Sequence, residues 1–209
     1  VIYALHHEQD IWKMGGLKAK MPVTYWTMMA GSLALAGCPF LSGFFSKDEI
    51  LFMALANGHT GVWAIGVLVA GMTAYYTFRM FFVVFHGSPR DTAAFEKAHE
   101  SPKVMTIPLV ILAIGAVAAG YLNLPAAFGG HQQVTHWLAP SLVEHHPHAA
   151  ASTEWLAMGA SVIAFVIGIS IAYRKFAAEA KEPEYSGFSS FAFNKFYIDE
   201  LYDTILVRP

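Results

Sequence analysis

Residues 36–50 read AGCPFLSGFFSKDEI, and the fold turns on how this stretch is taken. It lies inside a long apolar run. Upstream, Val23 to Leu35 carries no charge, and downstream Leu51 to Ala56 is apolar again. Gly37, Pro39 and Gly43 interrupt a helix, because proline removes a backbone donor and glycine permits non-helical backbone. Lys47, Asp48 and Glu49 then set three charges side by side. One unbroken helix over 23–57 would be about 52 Å long at ~1.5 Å per residue. A bilayer core is only ~30 Å thick. A helix broken near the midplane, with a second half-helix restarting beyond, resolves the mismatch. The competing reading is a loop between two short membrane helices, with three solvated charges.

Ser46-Lys47-Asp48-Glu49 fits a capping box, with Ser46 as N-cap and Glu49 at the third helical position. Asp48 and Glu49 suit the positive end of a helix dipole, whereas a lysine there is disfavoured as a cation by the dipole and by desolvation. The two carboxylates act in the opposite sense. Those are the ingredients of a lysine that loses and regains a proton.

The 209 residues are 56% hydrophobic and 13% charged, with mean hydropathy +0.44. Soluble domains carry roughly a quarter charged residues, so the composition is that of a membrane protein. A net charge of −2 gives no reason to expect nucleic acid. The single cysteine, Cys38, excludes an internal disulfide and a cysteine-based metal site. Val1 to Leu5 resembles the tail of an earlier apolar segment, and the chain reads as an internal piece of a longer one.

The first span is expected over 23–57, broken as described, and further spans over 62–85, 104–124 and 155–173. Together they make an all-α, polytopic transmembrane bundle over residues 1–176. The loop before the first span holds Lys13, Lys18 and Lys20, and the next turn holds no basic residue. The third connection holds Arg90, Lys97 and Lys103, and the fourth, 129–153, holds none. Arg174, Lys175, Lys181, Lys195 and Arg208 follow the last span. Only one crossing through the first apolar run yields this alternation, so the count favours the broken helix. The positive-inside rule puts the basic loops in the cytoplasm. In the tail, 177–209, Phe188, Phe191, Ile198, Leu201 and Ile205 recur at helical spacing with Lys195, Asp199, Glu200 and Asp203 between them. This predicts an amphipathic helix that lies on a membrane or protein surface, or folds back on its own bundle.

Lys47 and Asp48 are the leading functional candidates, since ionisable residues at membrane depth mark ion or proton paths, and charges at a helix break are a transporter device. Glu49, His59 and His86 are expected as supporting or exit groups; the two histidines end spans, and an imidazole is a side chain suited to passing a proton. Arg79 lies within reach of the cytoplasmic end and reads as a snorkelling anchor. His145, His146 and His148 stand beside Glu144, but Pro147 interrupts them and no helical ligand pair is present. No metal site is expected. Gly66, Gly71, Gly115 and Gly120 are expected to allow close helix contact. No nucleotide or flavin fingerprint appears, so no catalytic residue and no bound NADH or quinone is expected in this chain.

HHEQDIWKMGGL at 6–17, GFFSKDEIL at 43–51, YTFRMFFVVFHG at 76–87 and FNKFYIDELYDTILVRP at 193–209 together resemble the subunit L family of bacterial NADH–quinone oxidoreductase, equivalent to subunit 5 of mitochondrial respiratory complex I. The resemblance covers essentially the whole chain and corresponds to the C-terminal part of that antiporter-like family. It implies proton translocation driven by distant electron transfer, in a multi-pass protein of the bacterial inner membrane. It matches the family's lysine in a broken helix to Lys47 and the acidic neighbour to Asp48. Residues 193–209 match the start of the family's lateral helix. The implied partners are other membrane-arm subunits, with NADH, FMN, iron–sulfur clusters and quinone in partner subunits. The alternatives are the large subunit of a multisubunit Na⁺/H⁺ antiporter, the membrane subunit of a proton-pumping hydrogenase, and a passive membrane scaffold, against which Lys47 argues.

Overall fold

A computed structural model describes residues 1–124, 130, 133–141, 151–184 and 186–207. Their regular structure is entirely helical: α1 (Pro22–Ala36), α2 (Ser42–Ala56), α3 (Thr60–Phe85), α4 (Thr92–Lys97), α5 (Lys103–Ala118), α6 (Gln133–Leu138), α7 (Ala151–Phe176), α8 (Phe188–Phe193) and α9 (Ile198–Tyr202), with short 3-10 and π turns. Among the described residues, three helices are long and apolar enough to cross a membrane: α3, α5 with its 3-10 extension to Asn123, and α7. They overlap the expected spans at 62–85, 104–124 and 155–173. α1 and α2 have 15 residues each. At ~1.5 Å per residue each reaches about 22 Å, short of a ~30 Å bilayer core.

Side-chain contacts fix the course of the two short helices. The Tyr25 ring on α1 meets Phe81 and Phe85 near the end of α3. Leu51 on α2 fills the space beside Gly66 near the start of α3. α1 and α2 therefore run in series, antiparallel to one uninterrupted helix. α5 runs alongside them. Ser42 donates to the Ala116 carbonyl at 2.8 Å, and Asn123 to Glu49 at 3.4 Å. α7 is parallel to α3, pairing Gly71 with Ala164, Ala74 with Gly168 and Phe82 with Tyr173. One end of the bundle thus carries 1–21 and 86–102 and receives the chain after α7. The opposite end carries the turn at 57–59 and the 3-10 turn Ala119–Asn123 that follows α5.

The core is aromatic at the first end, where Phe78, Phe81 and Phe85 are fully buried. At the α3–α7 seam, a side chain at Gly168 would overlap the Gly71 carbonyl, so backbone touches backbone there. Gly120 lies against Ser42 and Phe45, and Gly71 against Ala164, as expected of contact glycines. Gly115 has open space around it, so its expected role in helix contact does not hold: it points away from the neighbouring helices.

The first end is tied together by polar groups. Gly16 donates to the His86 carbonyl at 3.0 Å and Asp91 to the Lys13 carbonyl at 3.2 Å. The Arg90 guanidinium donates to the carbonyls of Trp12 (2.9 Å), Ile11 (3.4 Å), Ala180 (3.5 Å) and Val83. Arg79 stacks over Trp12, 5.3 Å from the ring centroid, and over Phe176 at 5.9 Å. It thus reaches toward this end, where its guanidinium packs on aromatic rings.

The tail differs from the continuous amphipathic helix expected over 188–208. It contains α8 and α9, separated by Lys195, Phe196 and Tyr197 at φ +55°, +58° and +55°. Phe193, Ile198, Leu201 and Ile205 are exposed. Short helices are marginal unless an apolar face is packed, and here no described element covers that face.

Candidate functional site

α1 stops because its last turn is closed by a glycine. Gly37, at φ +84°, donates to the Ala34 carbonyl at 3.1 Å, and Cys38 donates to Leu33 at 2.9 Å. This is a Schellman termination followed by proline, which prevents continuation. It leaves the Leu35 and Ala36 carbonyls without a backbone donor in the helix. Lys47 supplies one: its Nζ lies 3.4 Å from the Ala36 oxygen and 3.5 Å from the Leu35 oxygen. The ammonium sits at the negative end of the α1 dipole.

Three expectations change at this point. Ser46 does not cap α2. The helix already begins at Ser42, after Leu41, and the Ser46 hydroxyl turns back to the Ser42 and Gly43 carbonyls, each at 3.4 Å. The local capping pattern loses to a tertiary fit. The start of α2 packs on the end of α1 so closely that any side chain at Gly43 would overlap the Ala34 carbonyl. Gly43 is consequently part of the second half-helix and not of the break, which occupies Gly37 to Leu41 with Pro39 at its centre and Phe40 at φ +67°. The dipole end that faces Lys47 is the C-terminus of α1, opposite in sign to the one expected.

Asp48 points away from Lys47, toward α7. It is 4% exposed. Its Oδ1 accepts a hydrogen bond from the Ser161 hydroxyl, and its Oδ2 is buried without a hydrogen-bond partner among the described residues. Ser161 is 5% exposed and lies within three residues of the midpoint of α7. A buried carboxyl thus stands near the middle of α7, with one oxygen held and the other without a partner among the described residues.

Glu49 is half-buried and turns to Asn123 at 3.4 Å. His59 is exposed in the turn at the opposite end of the bundle. His86 is at the first end, 3.3 Å from the Tyr25 hydroxyl through Nε2. Burial and the nearby Lys18 push its pKa below the ordinary histidine value. The two histidines therefore stand at opposite ends of the bundle. Among the described residues no group of three His, Cys, Asp or Glu side chains is placed to hold a metal ion. Glu144, His145, His146 and His148 lie outside the described residues.

Two partners escape sequence reasoning. Ser161 is 113 residues from Asp48, and its only local sign is a hydroxyl inside an apolar span. Glu100 caps α1 from the loop after α4. It accepts from Val23 N (2.8 Å), Thr24 N (3.3 Å) and Thr24 Oγ1 (2.6 Å). α1 starts at Pro22 with no side-chain cap of its own.

The family model described as "NADH:quinone oxidoreductase/Mrp antiporter, TM" matches residues 1–73, a region that includes the break and Lys47. NADH-quinone oxidoreductase subunit L of Rickettsia bellii is 37% identical, with all of this chain aligned to 34% of that protein. Subunit L of Pseudomonas aeruginosa is also 37% identical, again over the whole chain and 33% of the relative. NAD(P)H-quinone oxidoreductase chain 5 of a Picosynechococcus strain is 35% identical over 95% of the chain and 33% of its own length. The chain spans about a third of the length of these relatives.

Proposed function

This chain belongs with the NADH-quinone oxidoreductase subunit L proteins, of which it matches about a third, and from that premise we propose that it is a proton-translocating membrane segment of such a complex. It carries no redox chemistry of its own; NADH, FMN, iron–sulfur clusters and quinone belong to partner subunits. Its place is the bacterial inner membrane, among other membrane-arm subunits. The relatives' names favour this reading over the antiporter alternative, which the family description also includes.

The observation that carries the proposal is the pairing at the helix break. Lys47 caps the interrupted α1, while its neighbour Asp48 is buried against Ser161 near the middle of the bundle. Two adjacent groups that exchange protons, aimed at different helices, can hold a proton alternately. Lys47 is the entry group in this scheme. Its ammonium is held by α1 carbonyls that a neutral amine holds more weakly, so loss of its proton loosens the junction. Asp48, with Ser161 at Oδ1 and no partner for Oδ2 among the described residues, is the second group that holds the proton.

The test is NADH-driven proton uptake into vesicles carrying the intact complex, normalised to assembled enzyme. Lys47→Ala and Lys47→Arg should each lose most pumping, since alanine carries no proton and arginine does not release one. Pumping at the unmodified rate in both variants would make Lys47 a structural cap and overturn the proposal.

A further inference from the structure

We propose that Ser161 is a positioning residue for the proton held by Asp48, its hydroxyl turning between the Asp48 carboxyl and the Met158 carbonyl as that proton comes and goes. This rests on the proton-carrying role of Asp48 given above. A serine hydroxyl has one proton and so donates to one acceptor at a time. Two acceptors lie within reach of Ser161 Oγ: Asp48 Oδ1, and the Met158 carbonyl at 3.0 Å.

When Asp48 is ionised, its oxygens only accept, and the Ser161 O–H points at Oδ1. When Asp48 is protonated, its own O–H is the donor if the proton is on Oδ1. Ser161 Oγ then accepts, and its hydroxyl proton turns to Met158, the residue three before it on the same helix. That back-bond is a common resting place for serine in a helix. Both protonation states are therefore hydrogen-bonded without movement of the backbone. No proton passes through Ser161; it reorients while Asp48 exchanges the proton with its own path.

The burial makes this contact matter. Asp48 and Ser161 are both buried, and Oδ2 has no described partner. Removing the hydroxyl strips the acid of the hydrogen bond at Oδ1, and an unsatisfied buried carboxyl is strongly disfavoured. The charged groups nearby are Lys47 and Glu49 on α2, and Glu154 on α7, which acts on Glu49. α5 has no ionisable side chain beyond Lys103, at its far end. α3 contributes only Tyr75, Tyr76 and Arg79.

The experiment is infrared difference spectroscopy on the intact complex, with pumping measured on the same preparations. The protonated-carboxyl band of Asp48 is assigned by its loss in Asp48→Asn. In Ser161→Ala the band should move to higher wavenumber, as a carboxyl does on losing a hydrogen bond, and pumping should fall several-fold. Ser161→Thr keeps the hydroxyl and should restore both. Ser161→Cys, a weaker donor, should give an intermediate band and serves if the alanine variant does not assemble. An Asp48 band that stays in place in the alanine or cysteine variant overturns the role of Ser161. Asp48→Asn pumping at the unmodified rate overturns the proton-carrying role of Asp48 itself.

Discussion

Glu100 and Lys47 stand at the two ends of the same helix. Glu100 accepts the free N–H groups at the start of α1, and Lys47 donates to the free carbonyls at its end. Burial opposes ionisation of Glu100, but hydrogen bonds from Thr24, Ser101 and Val23 outweigh it, so its carboxyl titrates below the ordinary glutamate range. The stabilisation is present above the unfolded-state value of ~4.3 and is lost as pH falls through the lower folded-state value. Glu100→Ala should cost about 1 kcal/mol at neutral pH, the usual worth of a helix cap. Thermal melts of purified protein should show this difference shrinking near pH 3; a difference that persists there would mean that the carboxylate is not its source. Lys47 and Asp48 were legible in the sequence as charges in an apolar run. Glu100 and Ser161 were not, because each acts across more than 70 residues of chain.

At the scale of elements, the break itself could be read from Gly37 and Pro39, since both act through their own backbone. Its far edge could not. The Ser46–Glu49 pattern is a valid local start signal, but the helix begins five residues earlier because Gly43 fits against Ala34. Close backbone contacts of this kind make a graded series of glycine substitutions informative. Gly43→Ala and Gly168→Ala should each lower the melting temperature, because the added methyl meets a carbonyl oxygen. A loss of ~1–3 kcal/mol is expected from such overpacking. Gly115→Ala meets nothing within 4 Å and should leave stability unchanged or raise it through better helix propensity. Equal melting temperatures for the Gly168 and Gly115 variants would refute the α3–α7 seam. The tail shows the limit of periodicity. Its apolar spacing is helical, yet without a surface to bury it the backbone departs from the helix at Lys195 to Tyr197.

For the whole molecule, the alternation of basic loops matches the alternating directions of the helical runs, and both follow from hydropathy and charge counts. Lys13, Lys18, Lys20, Arg90, Lys97 and Lys103 lie at one end, while 57–61 and 119–153 contain no Lys or Arg. Single cysteines at Ser88 and His59, in a background lacking Cys38, should therefore react differently with an impermeant thiol reagent on whole cells. The His59 site should label and the Ser88 site should not; the reverse pattern would invert the orientation.

The division of the first crossing into two 15-residue helices also bears on how the chain enters the membrane. A translocon selects segments one at a time, by length and apolarity. Each half is too short to be retained alone, and the second brings Lys47 and Asp48, which together cost about 5–7 kcal/mol at mid-depth on insertion scales. α3, long and free of charge until Arg79, meets the selection criterion unaided. α3, on which Tyr25 of α1 and Leu51 of α2 pack, then shelters the pair, so the charges that equip the site make insertion of the two halves depend on helix packing and not on their own apolarity.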